Sequence, residues 1–169
     1  MSWPNVEAVL SEHLRLEPLS VEHALGMVEV LADLSMYEYT GGEAPSLEEL
    51  QRRYAAQAVG HSDDGSEGWF NWIVKARDSD ESIGFVQATL GQNGPEVIAA
   101  IAWVISPIYQ GHGMASEATT AMMGWLRAKG VSRFKAYVHP EHRASMGVAR
   151  NQGLHPTPMM EDGEVRWES

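Results

Sequence analysis

The stretch Val104-Ile105-Ser106-Pro107-Ile108-Tyr109-Gln110-Gly111-His112-Gly113-Met114-Ala115-Ser116-Glu117-Ala118 carries an apolar strand into a glycine turn and then into a helix. Glycines at 111 and 113 let the backbone come close to a ligand and tolerate dihedrals that a side chain resists. The helix start beyond them offers unpaired N–H groups and a partial positive charge, which together suit a pyrophosphate. Ala115 and Ser116 keep the first turn open. A plain strand-to-helix turn with glycines would read the same way over so short a length. The sharper competitor, a dinucleotide-binding turn, fits poorly. Ser116 stands where a third glycine belongs, Pro107 interrupts the approach, and the motif lies late in the chain. Residues 128–131, Ala-Lys-Gly-Val, also lack the acidic residue that would hold a ribose.

Outward from this loop, periodicity predicts an alternation of strands and helices. On the N-terminal side, residues 14–17 alternate as a short strand closed by Pro18. Ser20 can cap a helix reaching about residue 34, with Ala24, Met27, Val28, Leu31 and Leu34 on one face. Ser46-Leu47-Glu48-Glu49 is a capping box that opens a second helix to about residue 58. Residues 60–68 form a surface loop. Residues 70–77 and 83–90 make a hairpin, and residues 97–105 are apolar enough for a strand buried on both faces. On the C-terminal side come a helix over 114–129 ended by Gly130, a strand over 134–138, a helix over 143–152 ended by Gly153, and a hairpin about Glu161-Asp162-Gly163. The order β-α-α-β-β-β-α-β-α-β-β predicts one α/β (α+β) domain over 1–169, a mixed, twisted sheet flanked by helices on both faces.

Composition narrows the function. The 169 residues suit a single domain that buries about two-thirds of its unfolded surface. No cysteine is present, so disulfides, thiolate zinc sites and a cysteine nucleophile are excluded. The start Met-Ser-Trp-Pro-Asn-Val-Glu lacks the basic and apolar regions of a secretory leader, and a cytoplasmic location is the expectation. No apolar run reaches the ~18 residues of a membrane span. Twelve Lys and Arg against 23 Asp and Glu give a formal charge of −11. Such a chain is a poor direct partner for nucleic acid and draws cations such as amines.

Two segments carry a family resemblance. Gln110-Gly111-His112-Gly113-Met114-Ala115 resembles the Gln/Arg-x-x-Gly-x-Gly/Ala loop of GNAT acetyltransferases, and Trp103-Val104-Ile105-Ser106-Pro107 is similar to the strand end that precedes it there. Downstream, residues 140–154, Pro-Glu-His-Arg-Ala-Ser-Met-Gly-Val-Ala-Arg-Asn-Gln-Gly-Leu, resemble the Asn-x-x-Ser-x-x-Val-Ala-x-x-x-Gly-Phe segment of the Rim-type branch, which includes acetyltransferases of ribosomal-protein N-termini. Order and spacing agree over about residues 13–168. The resemblance implies a cleft between the fourth and fifth predicted strands, 97–105 and 134–138. It also implies acetyl-CoA as co-substrate, with its pyrophosphate on Gln110, Gly111, His112, Gly113, Met114, Ala115 and Ser116. Pantetheine then runs along Trp103, Val104 and Ile105 and past His142 and Ser145. The implied reaction is N-acetylation of a primary amine, on a small molecule or a peptide N-terminus, by direct attack in a ternary complex. A homodimer is compatible with this reading. A domain that binds acyl-CoA as a sensor or scaffold without turnover is the alternative. Two positions depart from the family pattern: His142 replaces the usual Asn, and Ala149 stands where many members carry a proton-donating tyrosine.

Transfer from a thioester to an amine needs an oxyanion donor, a proton for the thiolate and a base for the amine. The backbone N–H groups of Val104 and Ile105 are candidates for the first and the Ser145 hydroxyl for the second, with Tyr37, Tyr39 and Tyr109 as other proton sources. For the base, Glu38 in the loop between the first two helices is the leading candidate, with Glu67 and Glu96 in reserve. Trp69, Phe70 and Trp72 are candidates for an acceptor wall, although aromatic residues on a strand are usually core. Glu117 is accounted for by the helix dipole. His139 and His142 lack a third ligand motif, and no metal is expected.

Overall fold

The computed structural model describes residues 3–39 and 41–169; Met1, Ser2 and Thr40, the last in the loop between the first two helices, lie outside the described residues. The chain forms β1 (Val9–Leu10), β2 (Leu14–Pro18), α1 (Ala24–Val30), α2 (Leu47–Gln57), β3 (Glu67–Ala76), β4 (Ser82–Asn93), β5 (Glu96–Ile105), α3 (Met114–Ala128), β6 (Arg133–Val138), α4 (Arg143–Asn151), β7 (His155–Glu161) and β8 (Glu164–Glu168). Short 3-10 turns at Val21–His23, Leu34–Tyr37 and Pro107–Tyr109 join some of them. The predicted order holds, with the two-residue β1 added at the edge.

All eight strands form one sheet in the order β1-β2-β3-β4-β5-β6-β8-β7. Every neighbouring pair is antiparallel except β5 and β6. Helices cover both faces. On one, α3 and Ala149 of α4 pack on Phe70, Trp72 and Val74 of β3, Val86 and Ala88 of β4, and Ala99 and Ile101 of β5. On the other, Ala24, Met27 and Leu31 meet Leu50 and Tyr54 of α2 over Ile73 and Phe85. Strand alternation sends successive residues to opposite clusters, so Ile73 and Val74 belong to different cores.

Three expectations need correction. The helix expected from Ser20 to Leu34 is α-helical only over Ala24–Val30. Asp33 then accepts a hydrogen bond from the Ser35 N–H at 2.9 Å and caps a separate turn, which leaves Leu34 79% exposed. β5 is buried on one face only. Ala99, Ile101 and Ile105 are covered, while Ile98, Ala100, Ala102 and Val104 on the α1/α2 face are half-buried, since those helices stop short of them. Phe70 and Trp72 are core, packed against Trp125 at 5.8 and 5.4 Å between ring centroids, and do not wall an acceptor pocket.

Glu117 does more than complement the dipole of α3. Its carboxylate accepts hydrogen bonds from the Ser11 hydroxyl, the His13 N–H at 2.9 Å and His13 Nδ1 at 2.8 Å, strapping the β1–β2 turn to the first turn of α3. Burial alone would raise the Glu117 pKa, but the bonds from Ser11 and His13 outweigh it and hold the carboxyl below its ordinary value. The Glu117 bond and the Glu12 charge raise the His13 pKa. Stability from a depressed carboxyl is present above its unfolded value and lost as pH falls through the folded one, whereas stability from a raised imidazole is present below its unfolded value and lost as pH rises. The deficit of Glu117→Gln, about 1 kcal/mol, should therefore be largest between about pH 5 and 6.5 and shrink on both sides. Urea unfolding across pH 3 to 9 measures it, and a pH-independent deficit would contradict the ionic strap.

Candidate functional site

The site is the place where β5 and β6 part. Their parallel pairing runs only through Ile98–Arg133, Ala99–Phe134 and Ala100–Lys135, after which the rest of β5 has β4 alone as neighbour. The Ser106 N–H donates to the Ile83 carbonyl at 2.7 Å, and the β4–β5 register is unbroken from there. Antiparallel alternation then sends the Val104 N–H toward Phe85 in the ladder, and the N–H groups of Trp103 and Ile105 toward the opening. Of the two donors expected at 104 and 105, the register therefore aims only Ile105 into the wedge, and it adds Trp103. Gly84 fixes this end, because a side chain there would run into the Val104 carbonyl.

The glycine loop lies just beyond. Gln110 Nε2 donates to the Ile105 carbonyl at 3.1 Å, tying the loop to the end of β5. Gly111 and Gly113 hold φ of +83° and +75°, and Gly113 is the left-handed N-cap of α3 with no side-chain cap. Among the described residues, no protein group accepts a hydrogen bond from the N–H of Gly111, His112, Gly113, Met114, Ala115 or Ser116; the first helical bond is Glu117 N–H to the Gly113 carbonyl. A Cβ at 111 or 113 would meet nothing within 4 Å, so the protein leaves the space beside these two glycines open. A phosphate-bearing ligand fits this nest of donors at a helix start. The Ser116 hydroxyl accepts from Asn151 Nδ2 at 2.9 Å, and Gln152 Nε2 donates to the Ser116 carbonyl at 3.3 Å, which fastens α4 beside the loop.

α4 supplies the other wall. His142 is its N-cap and Ser145 lies one turn on, with Ser145 Oγ 3.5 Å from His142 Nε2, the outer edge of a hydrogen bond. The Tyr39 ring stacks on His142 with centroids 4.6 Å apart and planes 16° apart, and it also meets His139 at 5.2 Å, tilted 45°. The α1–α2 loop is thereby joined to the turn after β6 by contacts about a hundred residues apart in the chain. Burial pushes the His142 pKa below its ordinary value, His139 adds to the shift and the Glu38 carboxylate opposes it. Glu164, half-buried at the start of β8, has its pKa raised by burial, with Asp162 adding to the rise and His139 opposing it. Periodicity gave no signal for Glu164 or for the Tyr39 stack, since both come together through tertiary contacts.

The remaining candidates separate clearly. Glu38 is exposed and lies near enough for its charge to reach His142. Glu67 and Glu96 sit at the far end of the sheet. Glu67 pairs with Gly91 and Glu96 begins β5, about 30 Å of strand from Ile105. Neither reaches the wedge, so both are corrected. Trp69 lines a 490 Å³ cavity with Trp3, Gln57, His61 and Asn71, away from the wedge. Tyr37 donates to the Leu31 carbonyl and Tyr109 to Glu81, each at 2.6 Å, so both hydroxyls are committed elsewhere. Among the described residues no group of His, Asp and Glu side chains is placed to hold a metal, and no helix is long and apolar enough to cross a membrane.

A family model described as acetyltransferase (GNAT) domain matches residues 13–155. No curated protein sequence matches significantly. Among solved structures, an acetyltransferase from Thermus thermophilus is 21% identical, with TM-score 0.73 over 96% of this chain and 99% of that one. A Salmonella typhimurium acetyl transferase described as modifying the N-terminal serine of the 50S ribosomal subunit protein L7/L12 is 16% identical, with TM-score 0.76 over 96% and 98%. A RimL ribosomal L7/L12 alpha-N-protein acetyltransferase in complex with coenzyme A is 17% identical, with TM-score 0.71 over 96% and 97%.

The direction of the His142 shift can be tested directly. Its ring resonances should titrate with a midpoint below the ordinary histidine value near 6.5, and Glu38→Gln, which removes the opposing charge, should lower it further. Side-chain NMR titration makes the measurement; a midpoint above 6.5, or one that rises in Glu38→Gln, would contradict the described environment.

Proposed function

We propose that this chain, which belongs to the GNAT acetyltransferase family, moves an acetyl group from acetyl-CoA to a primary amine. The observation that carries the reading is the run of unpaired N–H groups from Gly111 to Ser116 at an open helix start, directly beyond the exposed edge of β5. Those donors suit the pyrophosphate, and the edge of β5 suits the amide-bearing pantetheine arm, which lays the thioester in the wedge. Acetyl-CoA supplies the activated acyl group. The protein supplies orientation, since two bound reactants gain most from being held at reacting distance.

In this reading the Ile105 N–H, with that of Trp103, receives the charge that develops on the thioester oxygen. Ser145, on the α4 wall, donates to the departing sulfur. The acceptor enters from the α1–α2 side, where the half-buried face of β5 is open and Glu38 and Glu164 border the wedge. Both carboxylates attract an ammonium group, and Glu164, whose pKa burial raises, suits removal of its first proton before attack. A peptide N-terminus is the acceptor class that the Salmonella and RimL structures favour; a small-molecule amine would present the same group. With no cysteine for an acyl-thiol intermediate, attack is direct and both substrates are bound together. The setting in this reading is cytoplasmic.

Two outcomes test it. Coenzyme A at 100-fold over its Kd should stabilise the fold by about 2.7 kcal/mol, seen as a rise in Tm that Gly113→Val removes; no shift in the wild type would contradict the site. Against a panel of amines and N-terminal peptides, free-thiol release should give intersecting initial-rate plots, and Ser145→Ala should lower kcat by about 10- to 100-fold while the coenzyme A shift stays. Parallel plots, or an acetylated protein found without acceptor, would overturn direct attack.

A further inference from the structure

His142 is placed for more than contact with the pantetheine arm. It caps α4 on the wall of the wedge, its Nε2 is 3.5 Å from Ser145 Oγ, and Tyr39 stacked at 4.6 Å fixes the plane of its ring. We propose that His142 carries the proton released by the acceptor nitrogen to the departing sulfur by way of Ser145. The proposal rests on acetyl transfer to an amine as the reaction of this site.

The chemistry requires two proton movements after the acceptor has become a free amine. When nitrogen attacks the thioester carbon, the C–N bond forms, the carbonyl pair moves onto oxygen, and nitrogen becomes cationic. Nitrogen must then lose a proton. When the intermediate collapses, the C–S bond breaks and sulfur leaves with the electron pair, so sulfur must gain one. His142, with its own proton on Nδ1, presents a lone pair on Nε2. That nitrogen takes the proton from the acceptor nitrogen, passes it to Ser145 Oγ, and Ser145 gives its hydroxyl proton to sulfur. Both side chains end as they began, and the net result is an amide and a thiol. A single imidazole nitrogen that takes a proton and then returns it to a leaving group is the logic by which serine hydrolases use histidine.

Several features of the surroundings support this role. The imidazole must be neutral at the start. Burial and the nearby His139 lower its pKa and keep it uncharged at neutral pH, and the Glu38 carboxylate opposes that shift. Glu164 on the β7–β8 hairpin lies close enough to His139 and Asp162 for both charges to act on it, and these are the further charged groups beside the pair. The 3-residue spacing of His142 and Ser145 puts both on one face of α4. The contact between them is long in the free protein and has room to tighten when substrate enters.

The test is the pH dependence of kcat/KM with an acceptor from the panel, in wild type, His142→Phe, His142→Gln, Ser145→Ala and His142→Phe/Ser145→Ala. Phenylalanine keeps a ring for Tyr39 to stack on but has no nitrogen. The wild type should lose activity at acid pH with a midpoint below 6.5, as His142 protonates. His142→Phe should be about 10²- to 10³-fold slower at pH 7 and should lose the His142 limb, so that any acid limb left, from Glu164, has a different midpoint; a coenzyme A Tm shift, carried mainly by the glycine loop, should remain. The double variant should be no slower than His142→Phe, because the two side chains act in one path. If His142→Phe does not fold, His142→Gln carries the test, since its amide can bond Ser145 but cannot titrate. An acid limb that persists at the same midpoint in either variant would overturn the proposal, as would single losses that multiply in the double variant. A wild type that transfers acetyl to no amine would overturn the reaction itself and this proposal with it. Transfer that is unaltered in His142→Phe would overturn the relay alone.

Discussion

The parallel contact between β5 and β6 is the constraint on which the site depends. Every other strand pair is antiparallel, whereas this one is parallel and ends at Ala100 and Lys135. Adjacent strands in a twisted sheet rotate against each other by about 20 to 25°, so a pair released after a short ladder diverges. The divergence exposes the β5 edge at Trp103 and Ile105. The connection between the two strands is α3, whose start must lie at the carboxyl end of β5 for the crossover to return. Open α/β sheets place their ligands in this position, outside the carboxyl ends of strands that part. The glycine loop, the strand edge and the N-terminus of α4 are brought together by that one topological feature.

The electrostatics of the loop follow from its backbone. No Lys or Arg occurs between Val104 and Ala118, and the whole chain carries a formal charge of −11. In the proposed reading an anionic ligand is held by the N–H groups of residues 111–116, which have no protein acceptor among the described residues. More distant carboxylates are screened beyond about 8 Å at physiological ionic strength. On the other side of the wedge the Glu38 charge reaches His142 and Glu164 lies near His139, and in the proposed reading these carboxylates border the approach of the acceptor. The proposed site thus pairs a surface suited to an anion through fixed dipoles with a surface suited to a cation through charge.

The loop and the α4 segment were legible in the sequence because their signals are local. Gly111 and Gly113 announce positive φ, and the resemblance of the contiguous residues 140–154 to a known segment singles out His142, Ser145 and Ala149. The elements on either side were legible for the same reason, from Gly130 and Gly153 as terminators to the Asp162-Gly163 turn. What the sequence did not reveal depends on distant contacts. Tyr39 reaches His142 across the α1–α2 loop, and Ser11 and His13 reach Glu117, with no periodicity to mark either. Glu67 and Glu96 were reasonable carboxylates in composition alone, and only the register of β3, β4 and β5 puts them at the wrong end. Asp33 ended α1 early because a side-chain cap competed with helix propagation, a local signal hidden by the apolar face that ran through it.

The central claim is that the wedge and the glycine loop together form the acetyl-CoA site. Amide resonances of the labelled protein, followed as coenzyme A is added, test it most directly. The N–H groups of Gly111 through Ser116, with those of Trp103 and Ile105, should show the largest shifts, and residues around the Trp3–Trp69 cavity should show none. Shifts centred on that cavity, or a loop that does not respond to saturating coenzyme A, would contradict it.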